Sequence, residues 1–469
     1  MNLNKIHSVY FLGIGGIGMS ALARYFNAMG KKVAGYDKTS TKLTDELIAE
    51  GIEIHFEDHI RNIPKYIKEL PYDIDNILIV FTPAVPLDHS EYVFFNLNGF
   101  NIKKRAEVLG MITESAHTIA VAGTHGKTTT SSLTAHILKS AGLDPSAFLG
   151  GITQNYNTNL LLSSKLKNSQ LRTPDSELIV VEADEYDRSF LTLHPEIAVI
   201  TSVDADHLDI YGDKNHVEES FSLFANQVKS KLILKKSIVG KVKAEVKTIT
   251  YAVNDESADY FAKDIVIENG FYKYSIVTPI TIFENLTLGL PGLHNVENSV
   301  AAVAIACELN ISADVISKAL ASFKGVKRRF DYHIKTDKLV FIDDYAHHPE
   351  ELKAAISSAK EMYPGKKITG IFQPHLFSRT RDFADDFARS LDLLDECILM
   401  EIYPARESPI EGVSSQMLLN KMKSANKSIC QKNDLIEEVG KREIEVLMTM
   451  GAGDIDTFVE SIKNELNKH

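Results

Sequence analysis

The chain has 469 residues, 44% hydrophobic and 24% charged, enough for roughly three domains of about 150 residues and far from disordered, collagen-like or coiled-coil composition. Lysine and arginine total 51 against 63 aspartates and glutamates; the formal charge of −12 repels a polyanion, so no nucleic acid is expected, while a nest of backbone N–H groups still admits a small anion. Cys307, Cys397 and Cys430 are scattered and form no CxxC, and no run approaches the ~18 apolar residues of a membrane helix, so the expectation is a reducing, cytoplasmic setting without stable membrane insertion, a disulfide framework or a signal peptide.

Short runs rich in valine and isoleucine alternate with amphipathic stretches, the pattern of βαβ units with buried parallel strands. A first unit is predicted to have strands at 8–12, 32–36 and 76–81, a helix over 19–29 stopped by Gly30, and an end near Arg105. A second opens with a strand at 118–122 and a helix from about 127 to 142, followed by strands at 177–183 and 197–203. The stretch 229–290 reads as β-rich and irregular, with helices after it at about 296–309 and 313–323. A third set has strands at 339–342, 367–372, 397–401 and 446–450 and a helix over 351–362. The fold class is therefore α/β with three domains in series, and the lack of a short-period repeat excludes a solenoid.

Two glycine loops carry the first chemistry. Gly13-Ile14-Gly15-Gly16-Ile17-Gly18 stands between strand and helix, where glycines let a turn close and let N–H groups reach a diphosphate; a tight turn alone would also explain it. Asp37, ending the next strand, is placed to accept from a ribose. The second loop, Gly123-Thr124-His125-Gly126-Lys127-Thr128-Thr129, offers N–H groups, an ammonium and hydroxyls, as a triphosphate with magnesium needs. It departs from the strict P-loop, since only two residues separate Gly123 from Gly126.

Acidic strand ends follow in the same unit: Glu182-Ala183-Asp184-Glu185 and Asp204-Ala205-Asp206-His207. Hard cations take oxygen ligands, and His207 is either a ligand or a capping histidine. Asn295 is either an N-cap or a ligand contact, and Lys327-Arg328-Arg329 is either a solvated face or a phosphate contact. Two further clusters, Asp343-Asp344-Tyr345-Ala346-His347-His348-Pro349 and Gln373-Pro374-His375-Leu376-Phe377-Ser378-Arg379, sit at predicted carboxyl ends of parallel strands. Zinc is disfavoured there, because adjacent histidines point to different faces.

Nine ordered blocks, GIGGIGMS, AGTHGKTTT, VEADE, DADHLDIYG, HNVENS, RRFD, DDYAHHPEE, QPHLFSRTRD and MGAGDI, resemble the Mur ligases, the ATP-dependent amino-acid-adding enzymes of peptidoglycan synthesis. The nearest likeness is to the branch that joins L-alanine to UDP-N-acetylmuramate through an acyl phosphate. The resemblance implies a Rossmann-like UDP-sugar domain over 1–107, a central P-loop ATPase-like domain over 108–326, and a Rossmann-like amino-acid domain over 327–469. It assigns Gly13, Gly15, Gly16, Ile17, Gly18, Asp37 and Thr82 to the UDP-sugar, and residues Gly123 to Thr129, Asn295, Arg329 and Asp344 to ATP. Thr128, Glu182 and His207 would hold Mg²⁺, Tyr345, His347, His375 and Arg379 would surround the alanine, and Lys127, Arg329, His207, His347, His375 and Arg379 would be catalytic.

The chain departs from the family in two places. Where several Mur ligases carry a carbamylated lysine, about fifteen residues after His207, this chain has Phe221-Ser222-Leu223, and Leu376 stands where some relatives have arginine. The expected assembly is a monomer or weak homo-oligomer. A murein-peptide recycling ligase of the same family is the alternative, though its longer connection is at odds with the short 189–195 passage. A nicotinamide-dependent oxidoreductase would leave the second loop unused, and a nucleotide switch would leave the third domain's clusters unused.

Overall fold

The computed structural model describes residues 3, 5–69, 71–167, 177–204, 211, 213–268, 270–405 and 407–468. They fall into two compact units: Met1–Phe261 with Ile276–Ile282 and Asn298–Ala319, and Ala262–Ser275 with Phe283–Glu297 and Leu320–His469.

Unit 1 begins with β1 (Ser8–Leu12), whose five residues are all buried. Val9 and Phe11 enter one core and Tyr10 and Leu12 another, so the strand is covered on both faces. It pairs in parallel with β2 (Lys32–Tyr36) and β4 (Ile77–Phe81), and the sheet is completed by β3 (Glu53–His55) and β5 (Asn101–Lys104) in the order β3-β2-β1-β4-β5. The chain reverses its direction of travel between β1 and β4, which makes their carboxyl ends the switch point where open α/β sheets place ligands. The helix Ile17–Ala28 starts two residues earlier than its apolar spacing predicts, and Gly30 (φ +73°) ends it. The N–H groups of Gly30 and Lys31 bond the carbonyls of Asn27 and Phe26 at 2.9 and 3.1 Å, a Schellman cap.

The second sheet is built on β6 (His117–Ala122), flanked in parallel by β9 (Leu178–Glu182) and β10 (Ile197–Ile200). Beyond β9 lie β7 (Ser146–Thr153) and then β8 (Thr158–Leu161); beyond β10 lie β11 (Lys231–Lys235) and β12 (Lys247–Val253). The adjacent Gly150 and Gly151 conceal β7 in the sequence, because glycine is depleted in strands. The β-rich stretch continues as β13 (Tyr260–Glu268), β14 (Phe271–Val277) and β15 (Ile282–Leu288).

In unit 2 a third sheet runs β16-β17-β21-β18-β19-β20, from β16 (Asp331–Lys335), β17 (Val340–Asp344), β18 (Ile368–Phe372), β19 (Glu396–Leu399), β20 (Lys427–Ile429) and β21 (Val446–Met450). All pairs are parallel except β16 with β17. The helix Pro349–Met362 opens two residues before its apolar pattern does, since His348 caps it and Pro349 fits its first turn.

Candidate active site

The 13–18 loop is fastened at the switch point. The N–H groups of Gly13 and Ile14 bond the Tyr36 carbonyl at 2.8 and 3.0 Å, and Gly15 N–H donates to Asp37 Oδ2 at 2.7 Å. Gly13 has φ +86°, and a Cβ there would lie 2.5 Å from Thr82 Cγ2, so Thr82 closes the loop from β4. Gly16 is the N-cap of the helix Ile17–Ala28 and makes no side-chain cap bond; its Cβ position meets nothing closer than 3.8 Å. Gly16 and Ile17 are exposed, so the helix's positive end faces solvent. Asp37 braces the loop with one oxygen while Oδ1 accepts from Thr39 N–H at 3.2 Å.

The 123–129 loop is held by side chains that follow β10. Ser202 Oγ accepts from His125 N–H at 2.7 Å and pairs with Thr124 Oγ1 at 2.9 Å, while Asp204 N–H donates to Thr124 Oγ1 at 3.1 Å. Gly123 (φ +136°) and Gly126 (φ +81°) are left-handed; a Cβ would run into Thr201 Oγ1 at the first and lie 2.7 Å from Asn298 Oδ1 at the second. Lys127 opens the helix Lys127–Ser140, and its Nζ donates to Gly123 O at 2.6 Å and lies 2.7 Å from Glu185 Oε2. Burial opposes the Lys127 charge, but Glu185, Glu182 and Asp184 outweigh it and hold the ammonium above its usual range.

Glu182 ends β9 opposite Val121 of β6. Thr128 Oγ1 donates to its Oε1 at 3.0 Å and Gly150 N–H to its Oε2 at 2.8 Å, while burial raises its pKa against the pull of Lys127. Two converging oxygens suit Mg²⁺, which binds one or two protein groups and keeps its waters. Thr129 is buried in the helix behind the loop. His207 lies outside the described residues. Sequence reasoning placed Glu185 among the acidic strand-end residues without its contact to Lys127, and it missed Gly150 and the Thr201-Ser202 pair; for Gly150 the signal was a glycine inside an apolar run, and a Cβ there would strike the Glu182 carboxylate.

Unit 2 gathers a second cluster on β17, β18 and their following loops. Asp344 is buried, accepts from Phe330 and Ala346 N–H at 2.7 and 2.8 Å, and burial lifts its pKa to about 6. Asn295 is also buried, and its Nδ2 donates to Pro291 O at 2.6 Å. Arg329 stands 3.7 Å from Glu351 Oε1 and over the Tyr345 ring, while His347 N–H donates to Glu351 Oε2 at 3.0 Å.

His347 Nδ1 lies 2.9 Å from the Tyr345 carbonyl, which fixes the proton on Nδ1 and leaves the Nε2 lone pair. Burial, with Arg379 nearby, lowers its pKa to about 4. Its ring centroid is 6.2 Å from that of His375, which stacks on Tyr403. Arg379 lies on the helix Phe377–Asp382, entered through Leu376 at φ +69°. His348 instead packs on Phe383 and caps its own helix, so the neighbouring histidines do diverge.

Family models cover most of the chain: the Mur ligase family catalytic domain matches residues 8–117, the Mur ligase middle domain 121–306, and the Mur ligase glutamate ligase domain 328–455. The chain belongs to the Mur ligase family. The sequence of this Mur ligase is 53% identical over 471 residues to a UDP-N-acetylmuramate–L-alanine ligase of Flavobacterium johnsoniae, covering 100% of both chains. Its fold is similar to that of the UDP-N-acetylmuramate-alanine ligase of Thermotoga maritima, with TM-score 0.79, 27% identity, and 98% and 99% of the two chains covered. A murein peptide ligase of Psychrobacter arcticus shares the fold at TM-score 0.70 and 22% identity, with 99% of each chain covered. Three α/β sheets in series are the architecture expected from the sequence. Among the described residues, no helix is long and apolar enough to cross a membrane.

Proposed function

We propose that this Mur ligase joins L-alanine to the lactyl carboxylate of UDP-N-acetylmuramate at the expense of ATP, in the cytoplasmic supply of peptidoglycan precursors. The observation that carries this reading is 53% identity along the whole length of a relative bearing that activity's name. Residues 1–107 are assigned to the UDP-sugar, 108–326 to ATP and 327–469 to the amino acid, with the protein a monomer or weak homo-oligomer.

A carboxylate oxygen attacks the γ-phosphorus, the bond to ADP breaks, and an acyl phosphate forms. The amine of alanine then adds to the carbonyl carbon, loses a proton and expels phosphate. The first step brings anions together, and Lys127 and Arg329 are the cations assigned to spread that charge. Mg²⁺, held by Thr128 and Glu182 with His207 assigned to a second ion, supplies further neutralisation when bound. Asn295 and Asp344 are assigned to the adenosine, and Tyr345, His375 and Arg379 to the alanine and the muramoyl carboxylate. His347, His375 and a substrate phosphate oxygen are the candidates for taking the amine proton. His347, neutral at pH 7 with its pKa lowered to about 4, is a weak base, suited to accepting a hydrogen bond from the amine through Nε2 rather than to carrying its proton away.

The test offers alanine, glycine, serine or the murein tripeptide to the protein with ATP, magnesium and UDP-N-acetylmuramate. Alanine-dependent phosphate release with a product of the matching mass is expected. Turnover with the tripeptide alone would replace this reading by peptide recycling.

A further inference from the structure

Arg105 is the first residue of the helix Arg105–Glu114, directly after β5. Its side chain reaches back across the sheet to the 13–18 loop: a Cβ on Gly18 would lie 3.0 Å from Arg105 Nη1 and 3.1 Å from Cδ. Nη2 stands 4.0 Å from Asp184 Oδ2, with a third of the arginine and nearly half of the aspartate open to solvent. An exposed pair at that distance is worth about 0–1 kcal/mol, so an incoming anion displaces Asp184 at little cost.

The loop itself offers only dipoles. One of its N–H groups, that of Gly15, is already committed to Asp37, whose carboxylate stays beside the loop and repels a diphosphate. A guanidinium against the last glycine opposes that repulsion, and its planar fork matches phosphate oxygens. Gly18, lacking a side chain, leaves the guanidinium room to lie against the start of the helix Ile17–Ala28.

We propose that Arg105 binds the diphosphate of the UDP-sugar, exchanging Asp184 for phosphate oxygens. This rests on the reading of the 13–18 loop as the UDP-sugar site.

Calorimetry with UDP and with UDP-N-acetylmuramate, on the parent, Arg105→Ala, Arg105→Lys and Asp184→Asn, tests it, with thermal melting as the control for folding. Arg105→Ala is expected to lose about 10–100-fold in affinity for both ligands alike, the range for a lost charge-assisted hydrogen bond. Arg105→Lys should recover part of that loss, Asp184→Asn should bind UDP at least as tightly as the parent, and the KM for ATP should stay within about twofold in Arg105→Ala. Should the alanine variant melt early, the lysine variant carries the test, with an expected loss smaller than tenfold but measurable for both ligands. Unchanged UDP affinity in a folded Arg105→Ala overturns the proposal, and so does a loss confined to UDP-N-acetylmuramate, which would put the arginine on the muramoyl group. A parent protein that binds neither ligand refutes the loop reading itself.

Discussion

The 13–18 and 123–129 loops both follow the central strand of a sheet and both open a helix, yet different groups hold them. The second is crowded: Thr201, Ser202, Asn298 and Glu185 press on it, and both of its glycines are left-handed with no room for a Cβ. The first is braced by Asp37 and Thr82, has Arg105 against its last glycine, and is left open at Gly16. Under the proposed assignment, the 123–129 loop, which would hold a reacting triphosphate, is shaped before the ligand arrives, so little reorganisation would accompany the chemistry. The 13–18 loop, which would only anchor a substrate, can leave part of its surface for that substrate to complete.

The sharpest way to separate the loops is Lys127→Ala. Turnover should fall about 10³-fold, the upper range for removing one donor from a developing oxyanion, while calorimetric affinity for UDP-N-acetylmuramate stays within about twofold. Equal losses in both would merge the two sites.

Next in size is a pair of glycine substitutions. Gly123→Ala meets a left-handed backbone and the Thr201 hydroxyl together, and should cost about 3 kcal/mol in urea unfolding. Gly16→Ala, with ordinary contacts at 3.8 Å, should stay within about 0.5 kcal/mol of the parent yet weaken UDP-sugar binding, because the methyl group stands where backbone must approach a diphosphate. Similar stability losses in the two would contradict the contrast.

Glu182→Gln keeps the hydrogen bond from Thr128 and removes a charge. The magnesium needed for half-maximal turnover should rise about tenfold, whereas UDP-sugar binding without magnesium should not change. An unshifted magnesium curve would remove Glu182 from the metal site.

The last expected effect concerns pH and the first sheet alone. Glu91 is fully buried; Tyr10 O–H donates to it at 2.7 Å, and burial lifts its pKa from 4.5 to about 7. The folded state therefore holds this proton more tightly than the unfolded state, and stability falls as pH rises from about 4.5 to about 7. Glu91→Gln keeps an acceptor for Tyr10 and cannot ionise, so its melting temperature should change less than the parent's between pH 5 and pH 8. Parallel curves for the two proteins would refute the role of Glu91.

What the sequence made legible follows from the same physics. Central strands, buried on both faces, read as unbroken apolar runs, and β1, β6 and β21 appear where those runs lie. The strands that escaped notice include β3, β5, β8, β16 and β20, all at the edges of their sheets within each unit, where mixed polar residues replace the run. The candidate sites divide in a similar way. Gly13 to Gly18, Asp37, Lys127 and Glu182 announce themselves because each ends a strand or opens a helix at a recognisable spacing. Gly150 and Ser202 do not, since Gly150 meets Glu182, and Ser202 the 123–129 loop, only because β9 lies between β6 and β7 while β10 covers the other side.

The central step of the proposed reaction is the activation of the lactyl carboxylate as an acyl phosphate. The direct measurement supplies UDP-N-acetylmuramate carrying ¹⁸O in that carboxylate, with ATP, magnesium and alanine, and weighs the released phosphate by mass spectrometry. One ¹⁸O atom transferred into each phosphate is the predicted result, because the carboxylate oxygen that attacks the γ-phosphorus leaves with it. Phosphate free of label, released alongside an alanine-dependent product, would contradict it.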